Sequence, residues 1–223
     1  MSEHMIREAL VEKPHILVVC TGNICRSPMG EVVLRAKIEE AVSAREVCDE
    51  EADFLAGISV GSSGVSSEEE GEPIYPPAAQ VLREYGYSVP VRRAHKVTAV
   101  ELRNAGLILA MTVGHARRLR PMCEAAGVSL TRLHLWREFD GTVDIAPQGC
   151  FGSGGALEPK DGMGVRGKME WGGRSEVSPG MTYSDFYSSD GKWDVPDPWY
   201  TGDFLATIEV VEAGARGVLA ALS

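Results

Sequence analysis

The sequence predicts an α/β fold: a single domain with a parallel sheet and helices on both faces, flavodoxin-like or Rossmann-like. Three observations lead there. Apolar runs of strand length, over residues 15–19, 54–61, 107–111 and 129–136, alternate with stretches of helical period, the pattern of a parallel sheet joined by helical crossovers. The first run ends abruptly at Cys20 in a loop of small and polar residues, and a helical pattern follows at once. At 223 residues the chain has room for one sizeable core.

Taken in order, residues 1–13 are a polar N-terminal extension, either loosely held or a short helix, ahead of a domain over 14–223. Residues 15–19 form the first strand, buried on both faces. Pro28 stands near the start of a helix, where its missing N–H costs nothing. Met29, Val32, Val33, Ala36, Ile38 and Ala41 carry that helix's apolar stripe to about residue 44, and the acid-rich 46–53 segment continues or frays it. Residues 54–61 read as the second strand, with Ser59 near its C-terminal end. Residues 62–77 lack a period and form a loop, either a solvated connection or a border of the ligand site. A helix over 77–86 is capped by Gly86, a helical turn follows at 100–104, and residues 107–111 form the third strand. Residues 113–127 form a basic amphipathic helix whose Arg117, Arg118 and Arg120 are either a solvated face or a contact for an acidic partner. Residues 129–136 form the fourth strand. The closing helix, 203–222, turns Phe204, Leu205, Ile208, Val211, Val218 and Leu219 inward.

Residues 148–192 break the pattern. They are rich in Gly and Ser, show no period, and carry Trp171, Tyr183, Phe186 and Tyr187. Structureless stretches of that length are uncommon inside a compact domain. The segment is either a disordered excursion or a lid or partner-docking loop beside the ligand mouth.

Composition narrows the function. A formal charge of −10 argues against a general nucleic-acid or anionic-membrane binder, so no nucleic acid and no membrane is expected as partner. No apolar run approaches the ~20 residues needed to cross a bilayer, and the acid-bearing N-terminus lacks a signal-peptide core. A cytoplasmic location is expected. The five cysteines are unevenly spaced, as suits a reducing compartment, and the five histidines show no metal-ligand spacing, so no metal is expected.

Ligands of parallel sheets bind beyond the strand C-termini, where Cys20 falls. Strand, tight loop and helix N-terminus make an anion site. The backbone N–H groups of Thr21, Gly22, Asn23, Ile24, Cys25 and Arg26 can surround one tetrahedral oxyanion, helped by the helix dipole. No Gly-Lys-Ser/Thr follows, so a nucleotide loop does not fit. Instead a thiol sits at the floor of the cradle and a guanidinium at its rim. The thiolate is the attacking form of cysteine, and amides, helix start and Arg26 all favour it, although a cysteine at such a place is also a good small hydrophobe. Ser27 can hydrogen-bond the thiolate and improve it as a leaving group. Arg26 offers planar bidentate donors that lysine does not match. Asn23 fixes the loop through its side chain, and Gly22 relieves a tight turn.

Residues 18–29, VVCTGNICRSPM, resemble the signature loop of the low-molecular-weight protein tyrosine phosphatases. Residues 194–200, DVPDPWY, resemble the family's Asp-Pro-aromatic-aromatic loop. The resemblance covers roughly 14–147 and 193–222. It implies strand order 2-1-3-4, no cofactor, and hydrolysis of phosphotyrosine through a phosphocysteine intermediate. Cys20 is then the nucleophile and Arg26 the clamp. Asp197 is the acid that protonates the leaving oxygen and later deprotonates water, with Asp194 as fallback. Trp199 and Tyr200 line the cleft for a phenyl ring, core packing of Trp199 being the alternative. The resemblance also assigns Ser59 to the Asn23 network and gives Cys25 a reversible disulfide with Cys20. Cys48, Cys123 and Cys150 are expected to be passive. Arg92 and His95 stand in exchanged order relative to the family. Implied partners are phosphotyrosine proteins, among them a tyrosine kinase of polysaccharide assembly. Residues 148–192 are an insertion where the family has a much shorter stretch.

Two other readings compete. An arsenate reductase on the same scaffold needs further cysteines to relay a disulfide; related enzymes carry a close pair near the third strand, and this chain has none there. A non-catalytic phosphopeptide-binding module would draw support from the insertion, but intact Cys20, Arg26 and Asp197 speak against it.

Overall fold

A computed structural model describes residues 2–44, 49–159 and 192–223. Strands β1 (His15–Cys20), β2 (Ser59–Gly64), β3 (Leu107–Ala110) and β4 (Leu133–Leu135) form one parallel sheet in the order β2-β1-β3-β4, as the resemblance implies. The register brings their C-terminal ends to one edge: Cys20 pairs with Gly64, Val19 with Ala110, and Ala110 with Leu135. Cys20 is thus the last residue of a central strand.

The helices are α1 (Ser2–Glu12), α2 (Arg26–Ser43), α3 (Asp49–Gly57), α4 (Pro76–Glu84), α5 (Ala99–Asn104), α6 (Val113–Ala126), α7 (Pro198–Thr201) and α8 (Phe204–Leu222). Side chains of β1 alternate between two cores. Ile16, Val18 and Cys20 join α1, α2, α4 and α8 on one face, and Leu17 and Val19 join α5 and α6 on the other. At Gly30, α2 presses onto the sheet; a Cβ there would stand 2.6 Å from Met111 Cε.

Several boundaries differ from expectation. Phe54 belongs to α3, and β2 starts only at Ser59. Its residues are Ser-Val-Gly-Ser-Ser-Gly, too polar to signal a strand, because its serines meet polar partners rather than a core. The preceding run is apolar because α3 buries Leu55. The fourth strand is only three residues long, between short 3-10 turns at Leu130–Arg132 and Trp136–Phe139. Residues 2–12 form a helix that buries Ile6 and Leu10 in the first core, with Arg7 donating to the Leu222 carbonyl. Leu205 is 56% exposed instead of inward; Phe204, Ile208, Val211, Val218 and Leu219 do pack on the core.

Within the 148–192 segment, residues 148–159 are turns tied to β4 through Cys150 N–H to the Leu133 carbonyl, with Phe151 and Leu157 against the second core. Trp171, Tyr183, Phe186, Tyr187 and Cys48 lie outside the described residues. Among the described residues no helix is long and apolar enough to cross a membrane.

Candidate active site

Between the end of β1 and the start of α2 the chain turns within residues 21–25. Cys25, at the N-cap of α2, provides no side-chain cap. Asn23 adopts φ 59°, a left-handed conformation uncommon outside glycine. Its side chain shows what holds it there. Nδ2 donates to Ser27 Oγ and Ser62 Oγ, both at 3.0 Å. Oδ1 accepts from Arg92 Nη2 at 2.5 Å and from the His95 N–H at 3.2 Å. Arg92 Nη1 also reaches the Asn23 carbonyl at 3.1 Å. Both amide donors and both acceptor positions are therefore in use.

The network ends on sulfur. Ser27 Oγ accepts from Asn23 and turns its own hydroxyl proton to Cys20 Sγ at 3.1 Å, with the Ser63 carbonyl at 3.3 Å as a second acceptor. Beneath, the buried Glu31 carboxylate accepts from Ser62 Oγ and Arg35 Nη2, each at 2.6 Å, and lies 3.6 Å from Arg92 Nε. Burial draws the Arg92 guanidinium below its ordinary value, and Glu31 opposes that. Ser63 Oγ donates to Glu101, which also pairs with His95 at 2.7 Å and closes a capping box with Thr98. Burial opposes ionisation of Glu101, but the hydrogen bonds from His95, Thr98 and Ser63 outweigh it and hold the carboxyl below the usual range.

The segment after β2 borders the loop rather than running off into solvent. Val65 and Ser66 N–H bond the carbonyls of Cys20 and Thr21, and the Tyr75 N–H bonds that of Ile24. Gly64 permits this approach, since a Cβ there would stand 2.5 Å from the Thr21 carbonyl oxygen. On the opposite side His115 Nε2 lies 2.8 Å from Thr21 Oγ1, while His115 Nδ1 is buried without a partner among the described residues. Burial, and then the charges of Arg26 and Arg118, push His115 well below its ordinary value, so it is neutral.

Arg26, 5% exposed, meets Asp197 with 2.6 Å between Nη2 and Oδ2. The Asp197 loop is anchored on the β3 side by Val195 N–H to the Met111 carbonyl, and by Asp194, whose Oδ1 accepts the Val113 N–H at the start of α6. Asp194, the fallback acid, thus has a bond that holds the loop. Trp199 and Tyr200 are 54% and 58% exposed, which excludes core packing of Trp199.

The structure brings Cys20, Thr21, Gly22, Asn23, Ile24, Cys25, Arg26, Ser27 and Asp197 to one place. Ser59 is a correction: it pairs with His15 at the opposite end of β1, and its hydroxyl bonds the His15 ring and the Pro14 carbonyl. Ser62 and Ser63 take the place expected of it. The error follows from starting the second strand five residues early. Glu31, Ser62, Ser63, Glu101 and His115 were missed, and a mid-helix glutamate carries no signal that separates it from a solvated one. Arg92 and His95 did carry a signal, their exchanged order. Cys20 and Cys25 are both reduced, and burial, then the neighbouring Cys20, push the Cys25 thiol far up. Cys123 and Cys150 are buried in the core of the other face. Burial lifts Cys123 to about 11 and Cys150 higher still. Neither is a thiol ready to relay a disulfide from Cys20.

Residues 15–147 match the family model described as low molecular weight phosphotyrosine protein phosphatase. The chain belongs to this family. A low molecular weight protein-tyrosine-phosphatase of Streptomyces coelicolor is 30% identical over 209 residues, 93% of this chain and 92% of that protein. Etp of Escherichia coli K12, a low molecular weight protein-tyrosine-phosphatase, is 33% identical over 70% of this chain and 90% of its own. The crystal structure of YfkJ from Bacillus subtilis superposes with a TM-score of 0.62 at 22% identity, covering 93% of both chains, which shows the shared fold.

Proposed function

We propose that the protein hydrolyses phosphotyrosine in proteins through a phosphocysteine intermediate. The observation that carries this is the relay from Arg92 through Asn23 and Ser27 to the Cys20 sulfur, with Arg26 and Asp197 at the same mouth. The Cys20 thiolate attacks phosphorus and the P–O bond to the phenol breaks, its electron pair leaving on oxygen, which takes a proton from Asp197. Throughout this step the phosphoryl oxygens occupy the donors of Arg26 and the loop amides, which strengthen as equatorial charge grows. By taking over Arg26 on binding they free the Asp197 carboxyl to face the leaving oxygen. In the second step water gives its proton to Asp197 and attacks phosphorus, and the S–P electron pair returns to sulfur. The hydroxyl of Ser27 steadies that leaving thiolate.

Family resemblance further supports a tyrosine kinase of polysaccharide assembly as substrate, and a reversible Cys20–Cys25 disulfide as protection against over-oxidation. The exposed Trp199 and Tyr200 suit an aryl phosphate better than a short alkyl one. The test is hydrolysis of a phosphotyrosine peptide by wild-type and Cys20→Ser protein. Wild type should turn over with vanadate sensitivity, and Cys20→Ser should bind phosphate without turnover. Turnover by the serine variant would refute the assignment, and a wild type that binds without turning over would favour a binding module.

A further inference from the structure

Tyr75 stands where the phosphate loop meets the acid loop, partly buried against the first core. It is the N-cap residue of α4 and makes no side-chain cap, although that position favours a short acceptor such as Ser, Thr, Asp or Asn. Pro76 opens the helix behind it. A residue that forgoes the cap its position favours points to a use of its side chain outside the helix. The contacts of Tyr75 say where. Its N–H donates to the Ile24 carbonyl at 2.8 Å, fastening it to the phosphate loop. Its ring leans on Trp199, centroids 4.9 Å apart and planes at 53°, and on Phe204 at 6.0 Å. Trp199 lies two residues after Asp197, and its N–H bonds Asp197 Oδ1 at 3.2 Å. The acid loop is therefore held by Asp194 and Val195 on its β3 side and by the Tyr75 ring on its phosphate-loop side.

We propose that Tyr75 is a positioning residue for Asp197: its ring, fixed to the phosphate loop by its own backbone, seats Trp199 and so keeps the Asp197 carboxyl over the mouth. The ring carries this contact, and no hydroxyl bond of Tyr75 is needed for it. The proposal rests on the assignment of Asp197 as general acid made above.

The experiment compares wild type, Tyr75→Phe, Tyr75→Ala, Trp199→Ala and Asp197→Ala on phenyl phosphate, a poor leaving group, and dinitrophenyl phosphate, a good one. The two substrates share a ring, so lost ring binding affects both alike, whereas a misplaced acid penalises only the poor leaving group. Tyr75→Ala should lower kcat/KM for phenyl phosphate at least about tenfold more than for the dinitrophenyl ester, a fraction of a general acid's full contribution. It should also weaken the basic limb of the pH profile and leave inhibition by inorganic phosphate unchanged. Tyr75→Phe should match wild type. Should Tyr75→Ala prove insoluble, Trp199→Ala carries the same expectation from the exposed side of the contact. Equal losses on both substrates, or a Tyr75→Phe variant as impaired as Tyr75→Ala, would overturn the proposal while leaving Asp197 in its role. If Asp197→Ala itself showed no leaving-group dependence, the acid assignment would fail and the Tyr75 proposal with it.

Discussion

Asn23 decides whether the phosphate loop keeps its shape. Its left-handed backbone costs energy that four side-chain hydrogen bonds offset. Removing the amide leaves Arg92, Ser27 and Ser62 short of a buried partner, at about 1–3 kcal/mol per unsatisfied group. Asn23→Ala should therefore lose stability on that scale in urea unfolding and lose more than about tenfold in turnover. Asn23→Gly separates the two causes, because glycine tolerates the backbone but supplies no amide. It should recover part of the stability and none of the activity; full activity would show that the network is dispensable. At this scale residue type and spacing in the loop brought Cys20 and Arg26 together, and only the likeness of residues 194–200 to the family's acid loop added Asp197, which lies 2.6 Å from Arg26. Glu31 and Ser62 were not readable, because their roles arise only when α2 and β2 come together beneath the loop.

α1 adds to the fold more than its polar sequence announces. Among its described side chains Ile6 and Leu10 are the buried ones, four residues apart, and eleven residues are too few for a period to stand out. Leu10 is fully buried, so Leu10→Ala should cost about 2–5 kcal/mol in urea unfolding while leaving phosphate affinity intact. A cost below about 0.5 kcal/mol would show that the helix is a dispensable extension. The same competition between local pattern and packing explains β2. The apolar run before it serves α3, whereas the strand itself carries the serines that the phosphate loop requires. The strands β1 and β3 were legible because, from Ile16 on in β1 and throughout β3, they are buried on both faces and so apolar. Those same strands carry the loop and the anchor of the Asp197 segment, which is why most of the site was legible too.

For the whole molecule, an acidic chain gathers the loop, a helix start and Arg26 at one mouth, the proposed anion site, and keeps a neutral imidazole beside them. That imidazole links stability to pH. The unfolded histidine takes a proton near its ordinary value of about 6.5, while folded His115 resists far below it. Between those values the unfolded state binds more protons, so stability rises with pH and falls on acidification, by at most about 1.4 kcal/mol per pH unit. His115→Asn should flatten this slope between about pH 6.5 and pH 5, measured by urea unfolding. His15, also lowered by burial, leaves a residue of slope in the variant. An unchanged slope would mean that His115 accepts a proton in the folded state. The reading as a whole stands on the sulfur of Cys20, and the most direct measurement stops turnover of an aryl phosphate by rapid denaturation and locates the phosphoryl group by fragment mass spectrometry. One phosphoryl group on Cys20, absent from Cys20→Ser, is the result expected. A phosphoryl group on Cys25 or on a histidine, or turnover that leaves no phosphorylated residue when hydrolysis of the intermediate is the slow step, would contradict it.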